Sequence, residues 1–150
     1  MQLQIMKIAI VASFFLAWVL TFSEQIQSES VLKDQISETM VNIRTGKSSR
    51  DRTDAAKHLF DITQGDASKR IDDQLLSKIT GLLKDSDDSV LYWVARCLGN
   101  FGSRAKPAVP ELLKILNEVD CIKASKSSAS GIRFALKQMG VEAPASKCEM

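Results

Sequence analysis

His58 is the one histidine of the chain, and Asp54 and Asp61 lie on either side of it at helical spacing. A carboxylate at that spacing can orient an imidazole for general acid–base catalysis. A surface histidine on a mixed charged helix face explains the same pattern more simply. The chain has no GxSxG motif for a nucleophilic serine and no HExxH motif for zinc. We therefore predict no catalytic residue and no enzyme activity.

Asp85, Asp87 and Asp88 have the residue type of a calcium loop. An EF-hand loop also needs a central glycine and a glutamate at its twelfth position, and the sequence has neither there. Aspartates also stabilise turns and cap helices. We interpret these residues as turn and cap residues, and the sequence predicts no metal ion and no other cofactor.

The N-terminal segment differs in composition from the rest of the chain. Lys7 precedes an uncharged apolar stretch, 8–22, as in a secretory signal peptide. A transmembrane helix needs about 20 apolar residues, and this stretch is shorter. Thr21 and Ser23 are small residues at signal-peptidase spacing, so we predict cleavage near Ser23 and a periplasmic or secreted protein. An uncleaved anchor is the alternative, and it would be the only contact with a membrane.

Removal of residues 1–23 leaves residues 24–150, which have the size of one ordinary domain. The formal net charge of the chain is +2, with both signs interspersed. Nucleic-acid binding requires a basic stripe that neutralises phosphates, and the sequence has none. We therefore predict a single domain that does not bind nucleic acid.

Apolar residues recur at helical spacing through this domain, and the alternation typical of strands is nearly absent. The first helix has one apolar face, made of Leu32, Ile36, Met40 and Ile43. Helices are predicted at about 25–44, between Ser48 and Gly65, at 69–84 with Gly81 as a weak point, at 89–101, from Pro107 onwards, and at about 128–139 with Gly140 as the cap. The helix at 89–101 is apolar around most of its circumference, so we expect it at the centre of an all-α domain.

Three cysteines are present, and export would place them in an oxidising compartment. Cys97 lies in an apolar helical run and is predicted to be a buried thiol. Cys121 and Cys148 flank the last helix, and we predict that they form a disulfide. Closing that loop would stabilise the fold by about 3 kcal/mol. Three unpaired thiols are the alternative.

The second, fourth and sixth predicted helices repeat one pattern. Equivalent apolar positions recur 39 and 38 residues apart, at Ala55, Val94 and Ile132 and again at Leu59, Leu98 and Leu136. A repeat of this length is typical of helical hairpins that stack and bury together what none can bury alone.

Residues 87–116 carry the clearest copy of the repeat. An apolar helix ending in Leu-Gly-x-Phe-Gly precedes Ala-x-Pro-Ala-Val-Pro, at Leu98, Gly99, Phe101, Gly102, Ala105, Pro107, Ala108, Val109 and Pro110. This stretch resembles the HEAT-like repeats first described in bilin lyases, although Leu91 replaces the arginine common in such repeats. The resemblance implies a short right-handed solenoid of about six helices that serves as a binding scaffold, and it implies no pigment site.

In such a solenoid the second helix of each hairpin lines the inner surface, so the exposed residues of those helices are the first candidates for contact with a partner. They are Gln74, Ser77, Lys78, Glu111, Lys114 and Glu118. A second candidate patch is Tyr92 with Arg96, one turn apart on the polar side of the central helix, because tyrosine and arginine are enriched at interface hot spots. Ordinary surface is the alternative for each residue.

These features favour a non-catalytic, exported protein–protein interaction module. An inhibitor or immunity protein that occludes a partner enzyme is the subtype expected by analogy. The alternative is a structural or adaptor subunit of a cell-envelope complex, anchored by its N-terminal segment. The expected partner is an exported enzyme or an envelope component, and the sequence is also compatible with a homodimer.

The two interpretations of residues 1–23 predict different N-termini for the protein purified from the cell envelope. We expect the chain to begin at Glu24, because the apolar stretch is too short to span a bilayer stably. Intact-mass spectrometry measures this directly. A chain that retains residues 1–23 and sediments with membranes would instead support the anchored adaptor.

Overall fold

The computed structural model describes residues 29–85, 87–119 and 126–146. Within these ranges the chain is helical and contains no strand, which confirms the predicted all-α class. The chain divides into two compact units, Met1–Asp34 and Gln35–Met150. The first unit is described only where the first helix begins, and all further contacts discussed below lie within the second.

Seven α-helices follow one another in the described part of the chain. They are α1 (29–45), α2 (Ser49–Ile62), α3 (Ala67–Arg70), α4 (Asp73–Thr80), α5 (Asp88–Asn100), α6 (Val109–Val119) and α7 (Ser128–Gln138), with 3₁₀ turns at Gly81–Lys84 and Gly102–Ala108. All four residues of the predicted apolar face of α1 are buried. Ser48 and Asp51 form the capping box that begins α2, since each side chain accepts a hydrogen bond from the other residue's amide.

The single helix predicted at 69–84 is wrong, because the chain breaks after α3 and starts again at α4. Ile71 is extended, with φ −86° and ψ 127°. Asp72 accepts a hydrogen bond from the Leu75 amide at 2.8 Å and so caps a new helix. The capping aspartate therefore outweighs the continuous apolar pattern. α4 then tightens into a 3₁₀ turn at Gly81, where the sequence has a weak helix former.

Pro107 does not open an α-helix, as the sequence predicts, but lies inside the 3₁₀ turn Gly102–Ala108. The α-helix begins only at Val109. The fixed φ of proline suits this tight turn as well as it suits the first turn of an α-helix. The turn carries the chain from the end of α5 to the start of α6.

α2 and α5 lie side by side and run in the same direction. At their N-terminal ends the Ser49 hydroxyl donates a hydrogen bond to the Asp87 carboxylate. At their C-terminal ends the Asn100 side-chain amide donates to the Phe60 carbonyl at 3.1 Å. Because the two N-terminal ends contact each other and the two C-terminal ends do the same, α2 and α5 are parallel.

α7 packs on α5 as well, so α5 lies between α2 and α7 at the centre, as predicted. At the start of α7 the Ser128 amide and hydroxyl donate to the Asp88 carboxylate at 3.0 and 2.5 Å. α7 ends at the predicted cap, Gly140, which has φ +72°. The Val141 amide then donates to the Leu136 carbonyl at 2.9 Å, which closes the helix end.

The backbones of α5 and α7 approach each other very closely. A Cβ atom added to Gly131 of α7 would lie 2.6 Å from the Tyr92 carbonyl oxygen of α5. At Gly99 of α5 the corresponding distance to the Phe134 ring of α7 is 3.0 Å. Glycine at position 131 is therefore required by packing, because any side chain there would overlap the backbone of α5.

The apolar positions that repeat along α2, α5 and α7 form the core between these helices. Leu59, Leu98 and Leu136 are each 0 % exposed. Val94 and Ile132 are also completely buried. Truncating leucines of this kind to alanine typically costs about 2–5 kcal/mol, so these positions dominate the stability of the layer.

We expect Gly131→Ala to lower the free energy of unfolding by about 1–3 kcal/mol, because the new methyl group forces α7 away from α5. Gly81→Ala is the matched control, since nothing lies within 4 Å of a Cβ atom at that position. Denaturant unfolding followed by circular dichroism measures both variants. Equal stability of the two variants would contradict the close approach of α5 and α7.

Candidate functional site

Asp85 and Asp87 act as turn and cap residues, which confirms the interpretation from the sequence for these two; Asp88 instead lies in the first turn of α5 and accepts hydrogen bonds from Ser128. The Asp87 carboxylate accepts hydrogen bonds from the Ser89 and Val90 amides at 3.0 and 3.4 Å. Asp85 accepts from the Asp87 amide at 2.9 Å and pairs with Arg52 at 2.5 Å. Among the described residues, no group of His, Cys, Asp and Glu side chains could hold a metal ion.

Asp87 is held in its charged form by these contacts. Partial burial by itself would raise the pKa of Asp87, but hydrogen bonds from Ser49, Val90 and Ser89, together with the nearby Arg52 charge, lower it below its ordinary value of 3.8. The charged carboxylate therefore links α2 to α5 and caps α5 at the same time.

His58 and Cys97 differ sharply in their exposure to solvent. His58 is exposed, as the surface interpretation predicts, and the neighbouring Asp61 pairs with Lys57 at 2.9 Å. Cys97 is 0 % exposed, which confirms the predicted buried thiol. Burial raises the pKa of Cys97 to about 12, although a hydrogen bond with Thr63 acts in the opposite direction. A thiol with this pKa remains protonated and is a poor nucleophile.

Two predicted features lie outside the described residues. These are the disulfide between Cys121 and Cys148 and the signal peptide over residues 1–23. Within the ranges that the structure describes, none of the helices combines the length and the hydrophobicity needed to cross a bilayer.

The residues predicted to contact a partner from α4 and α6 lie mostly on the surface. Glu111 is half-buried, and the exposed ones are Gln74, Ser77, Lys78, Lys114 and Glu118. Their mixed charges and wide spacing do not by themselves define a site.

A cleft of about 400 Å³ opens beside Ser77, between α4 and the turn that leads to α6. This α4 cleft is lined by Asp73, Leu76, Ser77, Thr80, Arg104, Ala105, Pro107 and Ala108. Leu76, Ala105 and Ala108 are buried and form an apolar floor. Such a volume lies at the lower end of the range for ligand pockets and can accommodate apolar side chains of a partner.

Arg104 is a charged residue of the cleft lining. Its guanidinium donates to the carbonyls of Ser68 and Ile71 at 3.0 and 2.7 Å and to the Asp73 carboxylate at 2.6 Å. Arg104 is not among the residues predicted from the sequence. No local pattern marks it, because its acceptors lie 31 to 36 residues earlier in the chain.

The second predicted patch differs from expectation, because Tyr92 is only 6 % exposed. The close packing of α7 against Tyr92 covers its side of α5, so its predicted exposure is wrong. Arg96 remains half-buried, and its Nη1 donates to the Tyr92 hydroxyl at 3.0 Å. Tyr92 therefore supports Arg96 instead of presenting a surface of its own.

Arg96 lies among aromatic side chains from three helices. Its Cζ atom is 4.3 Å from the centroid of the Phe134 ring on α7, 5.2 Å from that of Phe60 on α2 and 5.6 Å from that of Tyr92. Trp93 extends the group, with its ring centroid 5.4 Å from Phe60 and 4.9 Å from Tyr92. We call these five residues the Arg96 cluster. Phe60, Trp93 and Phe134 are each partly exposed, so the cluster reaches the surface.

Comparisons of this chain with protein-family models, with curated proteins and with solved structures found no match. The described residues by themselves define an all-helical protein with two surface features, the α4 cleft and the Arg96 cluster.

Because hydrogen bonds lower the pKa of Asp87 in the folded state, its charge stabilises the fold only where it is ionised. This stabilisation is fully present above the ordinary pKa of 3.8 and is lost as the pH falls through the lower pKa of the folded state. We expect Asp87→Asn to be less stable than the wild type at pH 7, with a difference that shrinks towards pH 3.

Urea unfolding of both proteins across this pH range measures the difference. Asp87→Ala is the reference for the uncharged part of the cap and should lose about 1 kcal/mol. A difference between wild type and Asp87→Asn that does not change with pH would contradict the role of the charge.

Proposed function

We propose that this chain is a non-catalytic protein–protein interaction module of HEAT-like design, a short right-handed solenoid that binds another exported protein through the face of α4 and α6. The observation that carries the proposal is the α4 cleft, which has an apolar floor and lies between α4 and the turn before α6. In its favoured form, the module is an inhibitor or immunity protein that occludes a partner enzyme.

The repeated architecture is supported by the parallel layer of α2, α5 and α7. Equivalent leucines of the three helices, Leu59, Leu98 and Leu136, are buried in the same core. In stacked helical hairpins the first helices form such a parallel layer, and the second helices form the other. α4 and α6 follow α2 and α5 in the chain and would form that second layer.

A partner is supported by the chemistry of the α4 cleft. Leu76, Ala105 and Ala108 offer apolar surface, whereas the ion-paired Asp73 and Arg104 add polar groups to the lining. Ser77 lines the cleft and is exposed, so its hydroxyl can bond to a partner backbone. An apolar centre with a polar rim is the usual anatomy of a protein interface.

Capture of the full-length chain from the envelope of its own cell tests the proposal. We expect one enzyme to co-purify in stoichiometric amounts and to lose activity when this protein is added. Ser77→Arg should reduce the recovered partner at least about tenfold, because a long side chain blocks the cleft mouth. His58→Arg is the matched control, since it adds the same charge at another exposed helical position.

Recovery of the chain alone, or only as a homodimer, would contradict a heterologous partner. Recovery of a structural envelope component, together with a chain that retains residues 1–23, would favour the anchored adaptor.

A further inference from the structure

The Arg96 side chain is half-buried. Within the described part of the chain no carboxylate forms an ion pair with its guanidinium. The guanidinium donates a hydrogen bond to the neutral Tyr92 hydroxyl, and its Nε is buried with no hydrogen-bond partner among the described residues. Aromatic faces compensate a desolvated cation only in part, by about 2 kcal/mol in good cases.

Two other arginines of the fold, Arg52 and Arg104, each form an ion pair with a carboxylate. Arg52 also has a buried Nε without a partner, but its guanidinium pairs with Asp85 at 2.5 Å and lies 3.9 Å from Asp87. Arg104 pairs with Asp73 at 2.6 Å. Arg96 thus differs from both in having aromatic neighbours where they have carboxylates.

We propose that the Arg96 cluster docks an acidic segment of a partner protein. A carboxylate of that segment bonds to the guanidinium of Arg96, and an adjacent apolar side chain packs on the partly exposed Trp93 and Phe134 rings. The planar guanidinium presents paired N–H groups that match a carboxylate. The surrounding rings already hold it in place, so little side-chain entropy is lost on binding.

The charges around the cluster favour a single carboxylate over a polyanion. Lys57 lies 5.8 Å from the Trp93 ring, but Asp61 already neutralises it at 2.9 Å. Nucleic acids and anionic lipid surfaces are recognised by several unneutralised cations together. Arg96 alone does not provide such a surface, whereas one aspartate or glutamate beside an apolar residue complements it.

This surface is separate from the α4 cleft. The Arg96 cluster is built from α2, α5 and α7, and the residues that line the cleft come from α4 and the turn before α6. The two surfaces can therefore be tested with different variants. A negative binding result at one surface does not bear on the proposal for the other.

Selection from a library of short random peptides displayed on phage, with the full-length protein as bait, tests the proposal. We expect the selected peptides to be enriched in aspartate or glutamate next to an apolar residue. Fluorescence anisotropy of the synthetic peptides then measures affinity. Changing the acidic residue of the peptide to its amide should weaken binding at least about tenfold, and Arg96→Lys should do the same.

Lys47→Gln removes an exposed cation elsewhere and should leave the affinity unchanged. The amide peptides use the wild-type protein, so the test stands even if Arg96→Lys unfolds. Peptides without acidic enrichment, equal binding of the amide peptides, or no selected peptide would each overturn the proposal. Binding to vesicles of phosphatidylcholine and phosphatidylglycerol in place of the peptides would also overturn it.

Discussion

The close approach of α7 to α5 is the packing constraint on which the described fold depends. Gly131 allows the α7 backbone to reach the Tyr92 carbonyl, and the Phe134 ring of α7 lies over Gly99 of α5. Because helices pack as rigid units, this contact determines where every other residue of α7 lies. It covers Tyr92, and it brings Phe134 to Arg96, so the same contact that stabilises the layer also forms part of the surface cluster.

Polar contacts set the direction of the helices, and apolar contacts hold them together. The N-terminal ends of α2, α5 and α7 are joined through Asp87 and Asp88, each of which accepts hydrogen bonds from a serine of a neighbouring helix. Apolar packing alone discriminates weakly between parallel and antiparallel neighbours. Hydrogen bonds at the helix ends are specific for one arrangement, most of all at the buried Ser128, because an unpaired buried polar group costs about 1–3 kcal/mol.

The two candidate surfaces differ in how far the sequence could reveal them. Ser77 was predicted to contact a partner and lines the α4 cleft, but Arg104, which also lines the cleft, was not predicted. Arg96 was predicted as a contact residue for its type, with Tyr92 as an exposed neighbour. Tyr92 is instead buried and supports Arg96 from below the surface. Phe60 and Phe134 could not be assigned to Arg96 from the sequence, because they come from other helices.

The sequence by itself determined what depends on neighbours three or four residues apart: the all-α class, the apolar face of α1, the start of α2 after Ser48 and the end of α7 at Gly140. It misjudged the break at Asp72, where a local cap competes with a continuous apolar pattern. Only the tertiary structure decided the burial of Tyr92, the hydrogen bonds of Arg104 to α3 and α4, and the contacts of Phe60 and Phe134 with Arg96. These contacts join residues more than 30 positions apart, and the packing of helix on helix, which no local spacing encodes, brings them together.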